Sequence, residues 1–238
     1  VNVTLQHSFI QMPENDYVPR FEDPRVGYFV TQTTDMTSAD DPTPYRDMIH
    51  RWNLEKKNPE QARSEVKEPI TWWIENTTPH EFRDAIKEGV LAWNKAFEKA
   101  GLINAVDVQV QPDDADWDAG DIRYNVLRWT SSPNPPFGGY GPSFVNPRTG
   151  QILGADIMLE FVYFTNRVKY EKIFDTFSAA DNGPVSGHVC QAGEITQRGN
   201  LFASMAASST GDYSELEQHR IIYESLVRLT LHEVGHTL

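Results

Sequence analysis

The stretch SELEQHRIIYESLVRLTLHEVGHTL, residues 214–238, decides the fold. Its apolar residues recur every three to four positions, which predicts one long helix from about Tyr213 to the end. His232, Glu233 and His236 form H-E-x-x-H on that helix. Helical residues four apart are separated by about 40° around the axis and one turn along it. His232 and His236 can therefore aim their imidazoles at one metal ion. Glu233 lies about 100° from His232, which places its carboxylate beside the metal as a base rather than on it as a ligand. Neutral imidazole is a good Zn2+ ligand, and zinc lowers the pKa of bound water toward about 7. A carboxylate beside it can then take and return a proton.

The bland alternative is a chance motif in an ordinary buried helix. Against it, every residue from Leu229 to Leu238 other than the three motif residues is uncharged, and Gly235 gives a neighbouring element room. A buried Glu between two His is a costly arrangement without a metal.

Two ligands do not make a catalytic site, which ordinarily has three plus water. His219 lies thirteen residues before His232, roughly 220° around a straight helix, and so faces away. His7, His50 and His80 show no metal-ligand spacing and read as surface or capping residues. His188 and Cys190 in GHVCQ are a suggestive pair, but a packed or exposed loop is the plainer reading. The third ligand is expected from the remainder of the chain beyond Leu238. The isolated 238-residue chain is accordingly expected to be inactive.

Working back from the helix, ITWWIENT has the β-branched and aromatic density of a buried strand. Thr78, Pro79 and Glu81 predict a capping box opening a single helix, HEFRDAIKEGVLAWNKAFEKAG. On it Phe82, Ile86, Val90, Trp93 and Phe97 form one stripe, and Gly101 is the stop. VDVQV and IRYNVLRW alternate as strands, and FVNPRTGQILGADIMLEF reads as two extended pieces around a turn. FVYFTNRVKYEKIFDTF suits a helix and DNGPVSGHVCQAGEITQRGN a loop. Near the start, VNVTLQHSFI and RVGYFVTQTT predict strands of an antiparallel sheet, followed by a polar linker anchored by Trp52 and Leu54. The order implies an α+β fold with helices packed on a sheet.

Composition narrows the function. Six Trp, nine Tyr and twelve Phe demand burial and exclude a disordered chain. A formal charge of -13 gives no basic footprint for nucleic acid. No apolar run approaches the roughly 20 residues of a membrane helix. Cys190 is the single cysteine, and neither its role nor the redox compartment follows from it. The acidic run Asp113, Asp114, Asp116, Asp118 and Asp121 suits Ca2+ or, more plainly, a solvated turn.

The final helix resembles that of the metzincin clan of zinc peptidases, whose longer motif is H-E-x-x-H-x-x-G-x-x-H. DPRVGYF, RWNLE, GVLAWNKAFEKAG, DIRYNVLRW and GPSFVNPRTGQILGADI, in that order, resemble bacterial zinc-dependent metalloproteases carrying DUF5117 and DUF4953 regions. The resemblance implies a metzincin-like upper subdomain over residues 69–238, truncated after the motif: a mixed twisted sheet packed by one helix and the motif helix. Residues 1–68 would be the end of a preceding β-rich domain plus a linker. It further implies a zinc endopeptidase that uses metal-activated water, with His232 and His236 as ligands and Glu233 as general base. Its partner would be a peptide or protein substrate, and its location secreted, periplasmic or at the cell envelope. Substrate would lie along an edge strand at Ile152, Leu153, Gly154, Ala155, Asp156 and Ile157, where the two small residues allow close approach. The alternative is a non-catalytic binding fragment of such a protein.

Overall fold

The computed structural model describes residues 2–5, 7–37, 40, 45–132, 139–161, 192–210 and 214–238. In chain order its elements begin with β1 (Val30–Thr31), β2 (Met48–Ile49), β3 (Ser64–Glu65) and β4 (Ile70–Ile74). Then come α1 (His80–Leu91), α2 (Asn94–Lys99), β5 (Leu102–Ile103), β6 (Val106–Val110) and β7 (Asn125–Thr130). The rest are β8 (Gly139–Tyr140), β9 (Ser143–Val145), β10 (Ile152–Ala155), β11 (Ile157–Glu160), α3 (Ala192–Thr210) and α4 (Glu215–Gly235).

The centre is a mixed five-stranded sheet in the order β6-β4-β7-β11-β8. β6, β4, β7 and β11 run parallel, and β8 alone is antiparallel, at one edge. Alternation along the strands puts Ile70, Trp72, Ile74, Val106, Val108, Leu127, Ile157 and Leu159 into one core with α1 and α4. Ala85, Ile86 and Val90 enter it from α1, and Leu226, Leu229 and Val234 from α4. The two helices touch closely at Gly89, where a Cβ would lie 2.7 Å from Val227 O and 2.8 Å from Thr230 Cβ. On the other face of the sheet, the Trp73 ring meets Trp117 and Tyr124 edge-on, and those two stack at 3.8 Å. This α+β arrangement, a sheet with helices layered on it, follows from the apolar patterning.

Local departures from expectation have physical causes. The single helix after Pro79 breaks into α1 and α2, and Trp93 at the break donates its indole N–H to Leu231 O at 2.9 Å. No capping box forms: Pro79 is the N-cap and lends no side chain. Thr78 Oγ1 is buried, and Arg83 instead donates to the carbonyls of Thr78 and Asn76 at 2.9 and 2.8 Å. Gly101 does end the run, at φ +88. The described part of VNVTLQHSFI forms no strand, and Val3, Leu5 and Phe9 are exposed at 74%, 75% and 91%. Alternation makes a strand only where another backbone pairs with it. RVGYFVTQTT contributes only β1, paired to β2. Residues 192–200, read as loop, begin α3. His188, Cys190, Tyr213 and the helix expected over 162–177 lie outside the described residues.

The stretch expected as one edge strand divides in two. β11 is interior, bonded to β7 on one side and β8 on the other. β10 pairs with β9 in a separate ribbon. The turn Asn146–Gly150 and the bulge between Ile152 and Gly154 redirect the chain, so that Ile152–Ala155 leaves the sheet that Ile157 joins. Gly139 and Tyr140, read from sequence as loop, hold the edge position instead.

Candidate metal centre

α4 starts where Ser214 Oγ accepts a hydrogen bond from Glu217 N at 3.2 Å, an ordinary N-cap. Its buried stripe then reads Leu226, Leu229, Thr230, Glu233, Val234 and Thr237. Glu233 thus sits on the core-facing side, fully buried. Its neighbours in the motif do not. His232 is exposed and His236 half-buried, on the adjoining surface.

The imidazoles of His232 and His236 converge with Nε2 to Nε2 at 3.1 Å, ring centroids 4.7 Å apart and planes at 87°. Two nitrogens each about 2.0–2.1 Å from one tetrahedral zinc stand about 3.3 Å apart. The observed spacing is therefore close to that of a chelating pair, and equally suits a hydrogen bond between the rings when no metal is there. Burial pushes both imidazoles below their ordinary pKa; Arg228 adds to this at His232, and His232 adds to it at His236. The shift favours the neutral imidazole, the state in which histidine binds a metal. The donor set fits zinc.

Glu233 is set by the edge strand. A Cβ on Gly139 would lie 2.5 Å from Glu233 Cγ, Cδ and Oε1, so any larger residue in β8 would displace the carboxylate from this position. Gly141 lies over the next turn, its Cβ position 3.2 Å from Glu233 O and from Thr237 Cγ2. Sequence reading passed over these contacts. The signal available was GGYG, three glycines in four residues, the composition of a backbone in close approach. Gly235 makes room as expected: its Cβ position is 2.7 Å from Trp93 Cζ2.

The N-terminal part of the chain reaches this helix end. The Phe29 ring packs on His236, centroids 5.5 Å apart and tilted at 54°. Trp52 donates its indole N–H to Thr237 O at 2.6 Å. Trp52 and Leu54 pack on the main core.

The other candidates lie elsewhere. His219 is exposed on α4 and His80 is exposed at the start of α1. His50 shares a 3.0 Å hydrogen bond with Thr31 Oγ1. Among the described residues, no further His, Cys, Asp or Glu joins His232 and His236 in a group of three suited to a metal. In the acidic turn, Asp121 is committed to Arg123, which holds its carboxyl at about 2. Asp118 accepts from Gly120 N at 2.7 Å. Of the predicted substrate residues, Ile152, Ala155 and Ile157 are buried. Leu153 and Asp156 are half-buried, and a Cβ on Gly154 would lie 3.3 Å from Phe144 Cδ2. Burial raises the Asp156 carboxyl above its ordinary range, against a hydrogen bond from Val126 N and the charge of Arg128.

No helix among the described residues is long and apolar enough to cross a membrane. No curated protein and no solved structure matches the chain. The family model of DUF5117, a domain of unknown function, matches residues 1–57, the segment that meets His236 and Thr237.

Proposed function

We propose that this chain belongs to a metzincin-like zinc endopeptidase in which His232 and His236 hold the metal and Glu233 is the general base. The observation that carries the reading is the pair of imidazoles with Nε2 atoms 3.1 Å apart, beside a fully buried carboxylate on the same helix end. Zinc, when bound, supplies a polarised carbonyl and an acidified water. The chain supplies the proton relay: Glu233, pinned under Gly139, takes a proton during attack and returns it to the leaving amine. The third protein ligand comes from outside the described residues.

The place of substrate moves with the topology. β8, the antiparallel edge strand above Glu233, suits an extended peptide added to the sheet, in place of Ile152–Ile157. Tyr140, 48% exposed, would contact it. A mixed sheet bordered by an antiparallel strand beside the motif helix supports the metzincin likeness.

Hydrolysis of a quenched fluorescent peptide library by a protein that includes the third ligand, with zinc content measured in parallel, tests the proposal. Glu233→Gln should lower turnover by at least ~10²–10⁴-fold, the usual worth of a general base, while zinc is retained. Undiminished turnover would remove Glu233 from the mechanism. Zinc bound without hydrolysis in the unsubstituted protein would favour a binding role.

A further inference from the structure

Phe29 and Trp52 lie in the segment that matches DUF5117, yet both touch the motif helix. Neither contact is incidental to a loose tail. The backbone around Trp52 is bonded on both sides. Arg51 N donates to Gly150 O at 3.1 Å, and Ile152 N donates to Arg51 O at 2.9 Å. Further along, Lys67 N reaches Glu55 O and Lys57 N reaches Glu65 O, each at 2.8 Å. Between these anchors the Trp52 indole aims its N–H at the carbonyl of Thr237, in the turn that follows α4 directly after His236. Phe29 is fixed by β1 pairing with β2 and by His50 N donating to Phe29 O at 2.8 Å. Its ring is 56% exposed; the face it does cover is turned to His236 rather than to the main core.

Resting on the zinc reading above, we infer that Phe29 and Trp52 are positioning residues of the metal centre. Phe29 holds the His236 imidazole in its chelating orientation, and Trp52 fixes the helix end that carries it. The matched segment is then a structural part of the site rather than a neighbour to it. A ligand ring that is free to turn loses affinity in proportion to the orientations it must give up, and outer-shell contacts limit those orientations.

Zn2+ titration of the 238-residue chain by calorimetry tests this, with unfolding midpoints measured alongside. His236→Ala should abolish binding at the site. Phe29→Ala should weaken it by ~10-fold, the lower end of the outer-shell range, and Phe29→Tyr should restore it to within about twofold. The unfolding midpoint of Phe29→Ala should stay near that of the unsubstituted chain, since the ring is largely exposed. Trp52→Phe removes the N–H and trims the packing, and its unfolding midpoint separates the two; it should weaken zinc and speed amide exchange at residues 236–238. If Phe29→Ala and Trp52→Phe bind as tightly as the unsubstituted chain while His236→Ala does not bind, the positioning inference is overturned and the zinc reading stands. If His236→Ala binds as the unsubstituted chain does, both fall together.

Discussion

Gly139 is the residue on which the geometry of the base turns. A methyl group there would occupy space already taken by the buried Glu233 side chain. Gly139→Ala should destabilise the chain by about 1–3 kcal/mol, the range for overpacking. The same substitution should cut hydrolysis, because the carboxylate must move aside; urea melts and the peptide assay read the two effects separately. Asp156 behaves oppositely. Its folded-state pKa is raised above the ordinary 3.8, so the folded chain holds the proton more tightly than the unfolded chain does. Its ionisation therefore takes stability away as pH rises through that window and on toward neutrality. Asp156→Asn should raise the urea midpoint at pH 7, since an amide oxygen can still accept from Val126 N. That advantage should vanish below about pH 4, where the acid is already neutral. An equal gain at pH 3 and pH 7 would contradict the burial account. At this scale the motif was legible in the sequence, because His232, Glu233 and His236 are close in the chain and helical spacing alone brings them together. Gly139, Phe29 and Trp52 were not, because their distance to the site in sequence hides contacts made through the sheet and the N-terminal segment.

The elements were read best where burial is strongest. β4, β6 and α4 emerged from patterning because each has a continuous apolar side that must find the same core. Edges fared worse. β8 has two residues and β1 two, too short to show a period, and the interior place of β11 is hidden because extended sequence says nothing of which strand lies beside it. The contact between α1 and α4 gives an element-scale prediction. Ala for Gly in a helix interior ordinarily gains about 1 kcal/mol. At Gly89 the added methyl would meet a backbone oxygen at 2.7 Å, and neither helix can yield without disturbing the other. An overpacking cost toward the upper end of about 1–3 kcal/mol outweighs the gain. Gly89→Ala should therefore lower the unfolding midpoint in urea at constant m-value; a rise would mean that the helices separate readily.

For the whole molecule, the N-terminal segment and the motif helix act on one place. The chain brings Phe29, Trp52, Gly139 and the H-E-x-x-H turn together from three separated stretches, with the sheet between them as the common support. The antiparallel edge strand, the buried carboxylate beneath it and the paired imidazoles are the parts that the proposed zinc peptidase would use on this side of its site. The measurement that bears most directly on this is anomalous diffraction at the zinc edge from crystals grown with Zn2+. The account predicts a peak about 2.0–2.1 Å from Nε2 of both His232 and His236. A map without density there, with the two rings still hydrogen-bonded to each other, would contradict it.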